Sequence, residues 1–479
     1  MTDPLAPVRS RITGFAIDHR KVAPGVVFGA FRGATVNAEE YIQAAIASGA
    51  VAIISAPGPQ VEGALHVASD NPRAAFAAAA APFFAPFPRV TVAVTGTNGK
   101  TSTVELARQL WHLAGERAAS MGTLGVTTGD GRDKAGAGGL TTPDIVTFLG
   151  VCGGLAREGV SHLAFEASSH GLDQHRTEGP AIAAAAFTNL TRDHLDYHGT
   201  MEAYFAAKRR LFDELVTDGG AAIVWRDDRA AGAEWNRAIT DIARARGLQL
   251  LTVGPDGDFL RLTRRIPTLL GQTLELDGAV STAITLPLIG GYQAANALVA
   301  AALVIATGGS PAATIAALPR VTGVRGRLER AAILPSGAAV YVDYAHTPDA
   351  LEAVVAALRP HTTNRLILMF GCGGDRDRGK RPEMGLVAAR DADVVIVTDD
   401  NPRTEMPAAI RADIMAAAPG AREIAGRGEA IAAALAHARN GDVVLLAGKG
   451  HEQGQIIGRD VLPFDDAEVA RGIAARLGA

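Results

Sequence analysis

The stretch Thr95-Gly-Thr-Asn-Gly-Lys-Thr-Ser102 follows the β-branched run Val90–Val94 and precedes leucines at helical spacing. Glycines let backbone N–H groups face an anion, and the start of the next helix adds partial positive charge, so this order predicts a phosphate-binding loop. The first glycine of the general pattern would fall at Val94, but the flanking elements still favour ATP or GTP binding. Lys100 would reach the β- and γ-phosphates and Thr101 would ligate magnesium. The other predicted nucleotide contacts are Gly96, Thr97, Asn98, Gly99 and Ser102.

The rest of the chain alternates short β-branched runs with alanine-rich stretches, which predicts an α/β fold with parallel sheets. Its 479 residues suggest two to four folding units. Three prolines between Ala81 and Pro88 should not continue a helix and mark one junction, and glycines among charges near Pro319–Arg330 mark another. We therefore predict a small N-terminal α/β domain (1–88), a central P-loop ATPase-like parallel sheet (89–322) and a Rossmann-like C-terminal domain (323–479).

Six apolar runs are the clearest strand predictions because their continuous Val, Ile and Leu content suits strands covered on both faces. They are Val90–Val94, His162–Phe165, Val340–Val342, Leu366–Phe370, Val394–Val397 and Val443–Leu446.

Composition excludes several classes of protein. The 46 Lys+Arg against 50 Asp+Glu give a formal charge of -4, so no cation surplus favours nucleic acid or an anionic membrane. Cys152 and Cys372 lie far apart, which fits a reducing compartment and not a disulfide framework. The N-terminus has no secretory pattern, and no apolar run approaches the roughly 20 residues that span a bilayer. These features predict a soluble cytoplasmic protein.

Polar residues downstream of the loop are candidates for metal binding and acid–base chemistry. Glu166 ends an apolar run, where a magnesium ligand is expected in a P-loop sheet. The segment Thr188–His198 contains two aspartates and two histidines, including His194. Lys208 lies in a helical pattern and by itself would be a solvated lysine. A polar loop without catalytic duty is the alternative for each acidic or histidine candidate.

Two other motifs are weak evidence for a hydrolase or a nicotinamide-binding site. Ser168, Ser169 and His170 lack the Gly-x-Ser-x-Gly elbow of a hydrolase nucleophile. Gly371-Cys-Gly-Gly would place the third glycine of a dinucleotide fingerprint at Arg376, so it is a weak nicotinamide motif.

Together the motifs resemble the Mur ligases, the ATP-dependent amide-bond-forming enzymes of peptidoglycan synthesis. The resemblance runs from about Asp18 to Glu452 and rests on the loop Thr95–Thr101, Glu166-Ala-Ser-Ser-His-Gly-Leu172, Asn189–His198 and Lys208. It implies three domains, which bind the UDP substrate, ATP and the amino acid. Thr141-Thr-Pro143, Gln174-His-Arg176 and Asp399-Asp-Asn-Pro-Arg403 resemble the members that attach meso-diaminopimelate.

The resemblance changes the interpretation of Lys208, because its family counterpart carries a carbamate (N6-carboxylysine) that bridges a second Mg²⁺. An ordinary lysine has a pKa of about 10.4 and is a cation, whereas its carbamate is an anion with two oxygens. By the resemblance, His194 would share the second ion, and Thr101 and Glu166 would hold the first.

The same resemblance implies substrate contacts. The UDP-N-acetylmuramoyl-L-alanyl-D-glutamate substrate would meet Thr141, Thr142, Ser168, Gln174 and Arg176, and ATP would also meet Asn296, Arg327 and Asp343. Three positions depart from the family pattern: His19 stands where a serine contacts uridine, Leu140 stands where some relatives carry an asparagine, and Gln293 stands where an asparagine is usual.

Four C-terminal loops follow predicted strands, and loops at the carboxyl ends of parallel strands meet along one edge of a sheet. meso-Diaminopimelate is zwitterionic at both ends, so arginines suit its carboxylates and acids suit its ammonium groups. Arg403 would supply a cation for the distal carboxylate that lysine lacks. A plain proline turn is the alternative for this segment. The predicted acceptor contacts are Arg376, Asp399, Asp400, Asn401, Arg403, Gly448 and Glu452.

The predicted reaction activates the D-glutamate γ-carboxylate as an acyl phosphate, which the diaminopimelate amine attacks. The general base is not identified, and His194 and His346 are candidates. Two alternatives are folylpolyglutamate synthase, a relative that adds glutamate, and a P-loop switch or transport ATPase that makes no bond. The sequence does not fix the oligomeric state, and a monomer is the expectation.

Overall fold

The computed structural model of the protein describes residues 3–33, 36–129, 133–134, 141–268 and 270–478. The chain forms two compact units, Met1–Phe259 with Val299–Ser310 and Leu260–Leu298 with Pro311–Ala479. It is an α/β protein with a small parallel N-terminal sheet, a mixed central sheet and a mixed C-terminal sheet. The predicted fold class is confirmed, and the three domain boundaries stay predictions.

The N-terminal sheet is parallel and has the order β1-β2-β3-β4. Its elements are β1 (Gly14–Ala16), β2 (Val26–Ala30), α1 (Ile42–Ala47), β3 (Ala52–Ser55), β4 (Leu65–Ala68) and α2 (Pro72–Phe84). Helix α2 continues through Pro82, so the expectation that the chain from Ala81 onward cannot be helical is wrong for its first four residues. Pro82 removes one hydrogen bond close to the helix end, whereas Phe76 and its apolar neighbours stay packed in the core.

The central sheet of the first unit follows the order β12-β11-β10-β5-β9-β6-β7-β8. Pairing is parallel from β12 to β6, and β7 and β8 add an antiparallel edge that the sequence did not predict. Its elements are β5 (Val90–Thr95), α3 (Lys100–Leu113), β6 (Ala118–Gly122), β7 (Gly125–Thr128), β8 (Asp133–Lys134), α4 (Ile145–Arg157), β9 (His162–Glu166), α5 (Ser169–Asp173), β10 (Ile182–Phe187), α6 (Leu195–His198), α7 (Met201–Arg210), β11 (Val216–Trp225), α8 (Ala233–Ala245) and β12 (Gln249–Gly254).

The second unit begins with the antiparallel strands β13 (Leu260–Thr268), β14 (Gly271–Gly278) and β15 (Thr282–Leu286). Helices α9 (Gly291–Ala306) and α10 (Pro311–Ala317) follow them in the chain.

The C-terminal sheet has the order β16-β17-β21-β18-β19-β20, and its pairing is parallel except at β16. Side chains alternate between two buried layers, with Leu445 on one face and Leu446 on the other. The elements are β16 (Glu329–Ile333), β17 (Ala339–Asp343), α11 (Pro348–Leu358), β18 (Leu366–Phe370), α12 (Lys380–Asp391), β19 (Val394–Val397), α13 (Pro407–Met415), β20 (Arg422–Glu423), α14 (Arg427–Ala436), β21 (Val443–Ala447), β22 (Gly454–Ile457), β23 (Asp460–Pro463) and α15 (Asp466–Leu477).

All six predicted strands are present, as β5, β9, β17, β18, β19 and β21. Each ends at a segment that carries candidate site residues, as expected for parallel sheets that bind ligands at their carboxyl edge. Within the described residues, no helix combines the length and apolar character needed to cross a membrane.

Candidate active site

The phosphate loop joins β5 to α3. Gly99 has φ +88° and caps α3, and Gly96 has φ +142°, so both positions use backbone conformations that L side chains rarely adopt. The Lys100 ammonium donates hydrogen bonds to the carbonyls of Gly96 (3.0 Å) and Thr97 (2.8 Å). Thr101 and Ser102 are buried in the first turn of α3. The structure therefore has the strand, glycine loop and helix that the sequence predicts.

Residues 188–191 hold this loop, a role that no sequence motif predicts. Asn189 accepts the N–H groups of Thr97 (2.9 Å, through its carbonyl) and Asn98 (3.0 Å, through Oδ1). The Thr188 hydroxyl donates to the Asn98 carbonyl at 2.6 Å. The acids and histidines of this segment are the predicted site residues, but its threonines and asparagine are the residues that bond the loop.

Lys208 lies in α7 with 1% of its surface exposed. Its Nζ donates to the Gly96 carbonyl at 2.8 Å, the same carbonyl that Lys100 uses, and lies 4.5 Å from the centre of the Tyr204 ring. Burial, and then the nearby Lys100 charge, lower the pKa of Lys208 well below its usual range. The default interpretation of Lys208 as a solvated lysine is therefore wrong, and burial shifts its amine towards the neutral form.

Glu166 is 2% exposed at the end of β9. Its Oε1 accepts the Thr123 N–H at 2.7 Å, and the Thr123 hydroxyl lies within hydrogen-bonding distance of both Glu166 Oε2 (3.3 Å) and Thr141 Oγ1 (3.1 Å). His194 is more exposed, and partial burial lowers its pKa. Among the described residues, no three His, Cys, Asp or Glu side chains are grouped closely enough to hold a metal ion.

The predicted muramoyl-dipeptide contacts form one hydrogen-bonded chain. The Thr142 hydroxyl donates to the Glu166 carbonyl at 2.7 Å and accepts the Ser168 N–H at 3.0 Å. The Arg176 guanidinium donates to the Thr142 carbonyl (3.1 Å) and to Gln174 Oε1 (2.7 Å). Burial lowers the pKa of Arg176. The Ser168 side chain also caps α5, so it has a structural role.

His19, the departure at the predicted uridine contact, stacks parallel on Tyr41 with ring centroids 4.1 Å apart. Asp18 beside it bonds Arg20 at 2.8 Å, which, together with the Arg20 N–H, lowers the pKa of Asp18 to about 2.

The other predicted nucleotide contacts lie in the second unit and are connected to one another. Gln293 Nε2 donates to the Arg327 carbonyl at 2.8 Å, and its Oε1 accepts from Asn296 at 3.2 Å. Asp343, at the end of β17, accepts the N–H groups of Leu328 and Ala345, both at 2.8 Å. Burial raises the pKa of Asp343. Gln293 therefore links Asn296 to Arg327 through hydrogen bonds. In the sequence it is visible only as a departure from the family pattern, so this role was not predicted.

The predicted acceptor residues gather at the carboxyl ends of β18, β19 and β21. Arg403 donates to the Gly374 carbonyl at 2.8 Å, and Asn401 donates to Glu452 Oε2 at 2.8 Å, so the three loops are joined by hydrogen bonds. Gly448 has φ +110°, and a Cβ on it would come 2.7 Å from Asp400 Oδ2. The structure therefore brings together the residues that the sequence separates by up to about 80 positions.

Three acceptor candidates differ in their surroundings. Asp399 is ion-paired with Arg411, so its side chain ties β19 to α13. Asp400 is buried and accepts the Asn401 N–H at 2.7 Å. Arg376 is exposed and bonds only the Asp375 carbonyl, at 3.3 Å, within the described part of the chain.

Backbone strain is concentrated in these segments. Among the described residues, the non-glycine positions with positive φ are His175, His194, Leu328, Asp375 and Arg403. Each is a site candidate or a direct neighbour of one. Such conformations cost about 1–3 kcal/mol and are characteristic of ligand-binding positions, so the clustering points to function.

Comparisons with known proteins identify the family of this chain. The Mur ligase middle domain matches residues 94–304, and the Mur ligase glutamate ligase domain matches residues 326–450. The chain is 57% identical to the UDP-N-acetylmuramoyl-L-alanyl-D-glutamate--2,6-diaminopimelate ligase of Zymomonas mobilis, over 96% of this chain and 94% of that protein. A solved structure of a ligase with that name is 34% identical with a TM-score of 0.73, covering 98% of this chain and 96% of the other.

A folylpolyglutamate synthase from Mycobacterium tuberculosis has a TM-score of 0.61 at 20% identity, covering 83% of this chain and 92% of its own, and shows the shared fold alone. The level of identity over nearly the full length decides the assignment. This chain belongs to the Mur ligase family, and within it to the UDP-N-acetylmuramoyl-L-alanyl-D-glutamate--2,6-diaminopimelate ligases.

Proposed function

We propose that this protein joins meso-diaminopimelate to the D-glutamate of UDP-N-acetylmuramoyl-L-alanyl-D-glutamate, with ATP, in peptidoglycan precursor synthesis. The names of its relatives support the reaction. The observation that carries it is the set of acceptor loops, where Arg403 and Arg376 accompany Asp400 and Glu452. Two cations and two anions on joined loops suit a ligand that is zwitterionic at both ends.

We infer that the phosphate loop, from Gly96 to Ser102, holds the phosphates of ATP, with Lys100 stabilising negative charge on the γ-phosphoryl group as it moves. Arg176 is the proposed clamp for an anionic group of the UDP substrate, with Thr141, Thr142, Ser168 and Gln174 beside it. The D-glutamate γ-carboxylate would become an acyl phosphate, and the amine of diaminopimelate would then displace phosphate. Asn296, Arg327 and Asp343 are further proposed contacts of the nucleotide.

The residues around Lys208 fit a carbamate. Reaction with CO₂ requires a neutral amine, and the burial of Lys208 beside Lys100 favours that form. The carbamate would add an anionic ligand, so Lys208 and His194 would hold one Mg²⁺, and Thr101 and Glu166 another. Bound Mg²⁺ would neutralise charge on the phosphoryl group during transfer.

We also propose that the three predicted domains bind different substrates. Residues 1–88 bind the UDP substrate, residues 89–322 bind ATP and residues 323–479 bind the amino acid. The two buried free cysteines support a cytoplasmic location.

The test supplies purified protein with ATP, Mg²⁺ and the UDP-muramoyl dipeptide, together with diaminopimelate, lysine or glutamate. We expect a lengthened muramoyl peptide by mass spectrometry and phosphate release only with diaminopimelate. Product with glutamate would favour a folylpolyglutamate synthase-like activity. ATP hydrolysis that ignores both other substrates would favour a switch ATPase.

A further inference from the structure

Lys449 follows Gly448 at the carboxyl end of β21, and its side chain is completely buried, with 0% exposed. Its ammonium donates hydrogen bonds to Asn401 Oδ1 and to Glu452 Oε2, both at 3.0 Å. A buried ammonium is costly unless it is paired and hydrogen-bonded. Lys449 lies between the predicted acceptor residues Gly448 and Glu452 but is not itself predicted from the sequence.

Lys449 and Asn401 bond the same oxygen of Glu452. Asn401 Nδ2 donates to Oε2 at 2.8 Å, and Asn401 is itself held by the Ile456 N–H, which donates to Oδ1 at 2.9 Å. In the described part of the chain, Glu452 Oε1 accepts no hydrogen bond. One carboxylate oxygen is therefore fixed by two donors while the other is available to a ligand.

The charge of the carboxylate depends on the same contacts. Burial alone would raise the pKa of Glu452, but the Lys449 charge and the two hydrogen bonds lower it below the usual range. Glu452 is thus held ionised although its side chain is only 31% exposed.

We propose that Lys449 is a positioning residue that, together with Asn401, orients the Glu452 carboxylate so that its free oxygen receives an ammonium group of the acceptor amino acid. The proposal rests on the proposed function, which gives Glu452 that contact. A preorganised side chain loses less rotational freedom when the ligand binds, so the benefit of Lys449 is in acceptor binding and not in ATP binding.

The test measures steady-state kinetics of Lys449→Met, Glu452→Gln and the double variant with the full-length chain. For Lys449→Met we expect the KM for diaminopimelate to rise roughly 10-fold, because Glu452 must be ordered on binding, while kcat and the KM for ATP change little. Glu452→Gln should raise that KM roughly 10- to 100-fold through the lost charged contact. In the double variant, the Lys449 change should add no further loss.

Glu452→Gln leaves a fully buried ammonium without its anion, so this variant should lose stability. The double variant removes both charges, so it should be more stable than Glu452→Gln alone. If Lys449→Met alone does not fold, the comparison of Glu452→Gln with the double variant still decides whether Lys449 acts through Glu452.

The matched control is Arg365→Gln. Arg365 pairs with the fully buried Asp442 at 2.6 Å, at the amino ends of β18 and β21 and so at the opposite edge of the sheet. This variant should lose stability without a change in the KM for diaminopimelate. Additive effects of the Lys449 and Glu452 changes, or equal changes in the KM of all three substrates, would overturn the proposal. A wild type that adds no diaminopimelate would refute the proposed function itself, and the positioning role with it.

Discussion

Gly96→Ala tests the idea that the phosphate loop requires glycine for two separate reasons. Gly96 has φ +142°, and an added Cβ would collide with Thr188 Oγ1 and come within 3.0 Å of the Asn189 carbonyl oxygen. Backbone strain at such a φ costs about 1–3 kcal/mol. Overpacking against a fixed neighbour adds about 1–3 kcal/mol. We therefore expect about 2–6 kcal/mol of destabilisation.

The collision also has a functional consequence. The Thr188 hydroxyl bonds the Asn98 carbonyl at 2.6 Å, and the Gly96 carbonyl accepts from both Lys100 and Lys208. A displaced loop should raise the KM for ATP at least 10-fold, because its N–H groups and Lys100 would no longer meet the phosphates together.

Gly115→Ala is the matched control, because Gly115 has φ +90° and nothing lies within 4 Å of an added Cβ. It should cost about 1–2 kcal/mol from backbone strain alone and leave the KM for ATP unchanged. Urea unfolding followed by circular dichroism, with ATP kinetics on the same samples, measures both effects. If Gly96→Ala is as stable as Gly115→Ala and keeps the wild-type KM, the steric argument is refuted.

Three further predictions follow from the same structure. Lys208→Met should change the stability little, because it replaces a buried amine that is shifted towards its neutral form with an apolar side chain of similar length. It should nevertheless lower ligation roughly 10²- to 10³-fold as measured by phosphate release. Arg403→Ala should lower kcat/KM for diaminopimelate by roughly 10²- to 10³-fold, because it removes the cation for the distal carboxylate. Burial lowers the pKa of His451 from 6.5 to about 4, so folding favours the neutral ring. The contribution of His451 to the free energy of unfolding is therefore complete above pH 6.5 and is lost as the pH falls towards 4. Urea unfolding should show a loss of about 2–3 kcal/mol over this range.

Each of the three predictions, for Lys208, Arg403 and His451, has a control variant at an exposed residue of the same type. The controls are Lys21→Met, Arg459→Ala and His437→Gln. The Lys21 and Arg459 variants should behave as wild type in the assays. His451→Gln should flatten the fall in stability between pH 6.5 and 4, whereas His437→Gln should not. Full ligase activity of Lys208→Met, near-normal use of diaminopimelate by Arg403→Ala, or an unchanged pH profile for His451→Gln would each contradict the reasoning.

The sequence alone predicts the parts of the molecule that depend on local pattern. Continuous apolar runs such as Leu366–Phe370 become buried parallel strands because such strands are covered on both faces. Glycine at 96 and 99 and the lysine that follows predict the phosphate loop, since its backbone conformation is set within a few residues. The α2 helix shows the limit of local rules, because packing of Phe76 and its neighbours outweighs the hydrogen bond that Pro82 removes.

Tertiary structure decides the features that depend on which distant residues meet. Lys208 has the sequence context of a solvated helical lysine, and only its burial against the Gly96 carbonyl makes its amine chemically unusual. The same is true of Lys449, whose role depends on a hydrogen bond to Asn401, a partner 48 residues away in the sequence. Composition and spacing specify elements, but desolvation and charge pairing arise only when the chain is packed, and these two effects set the protonation of a buried group.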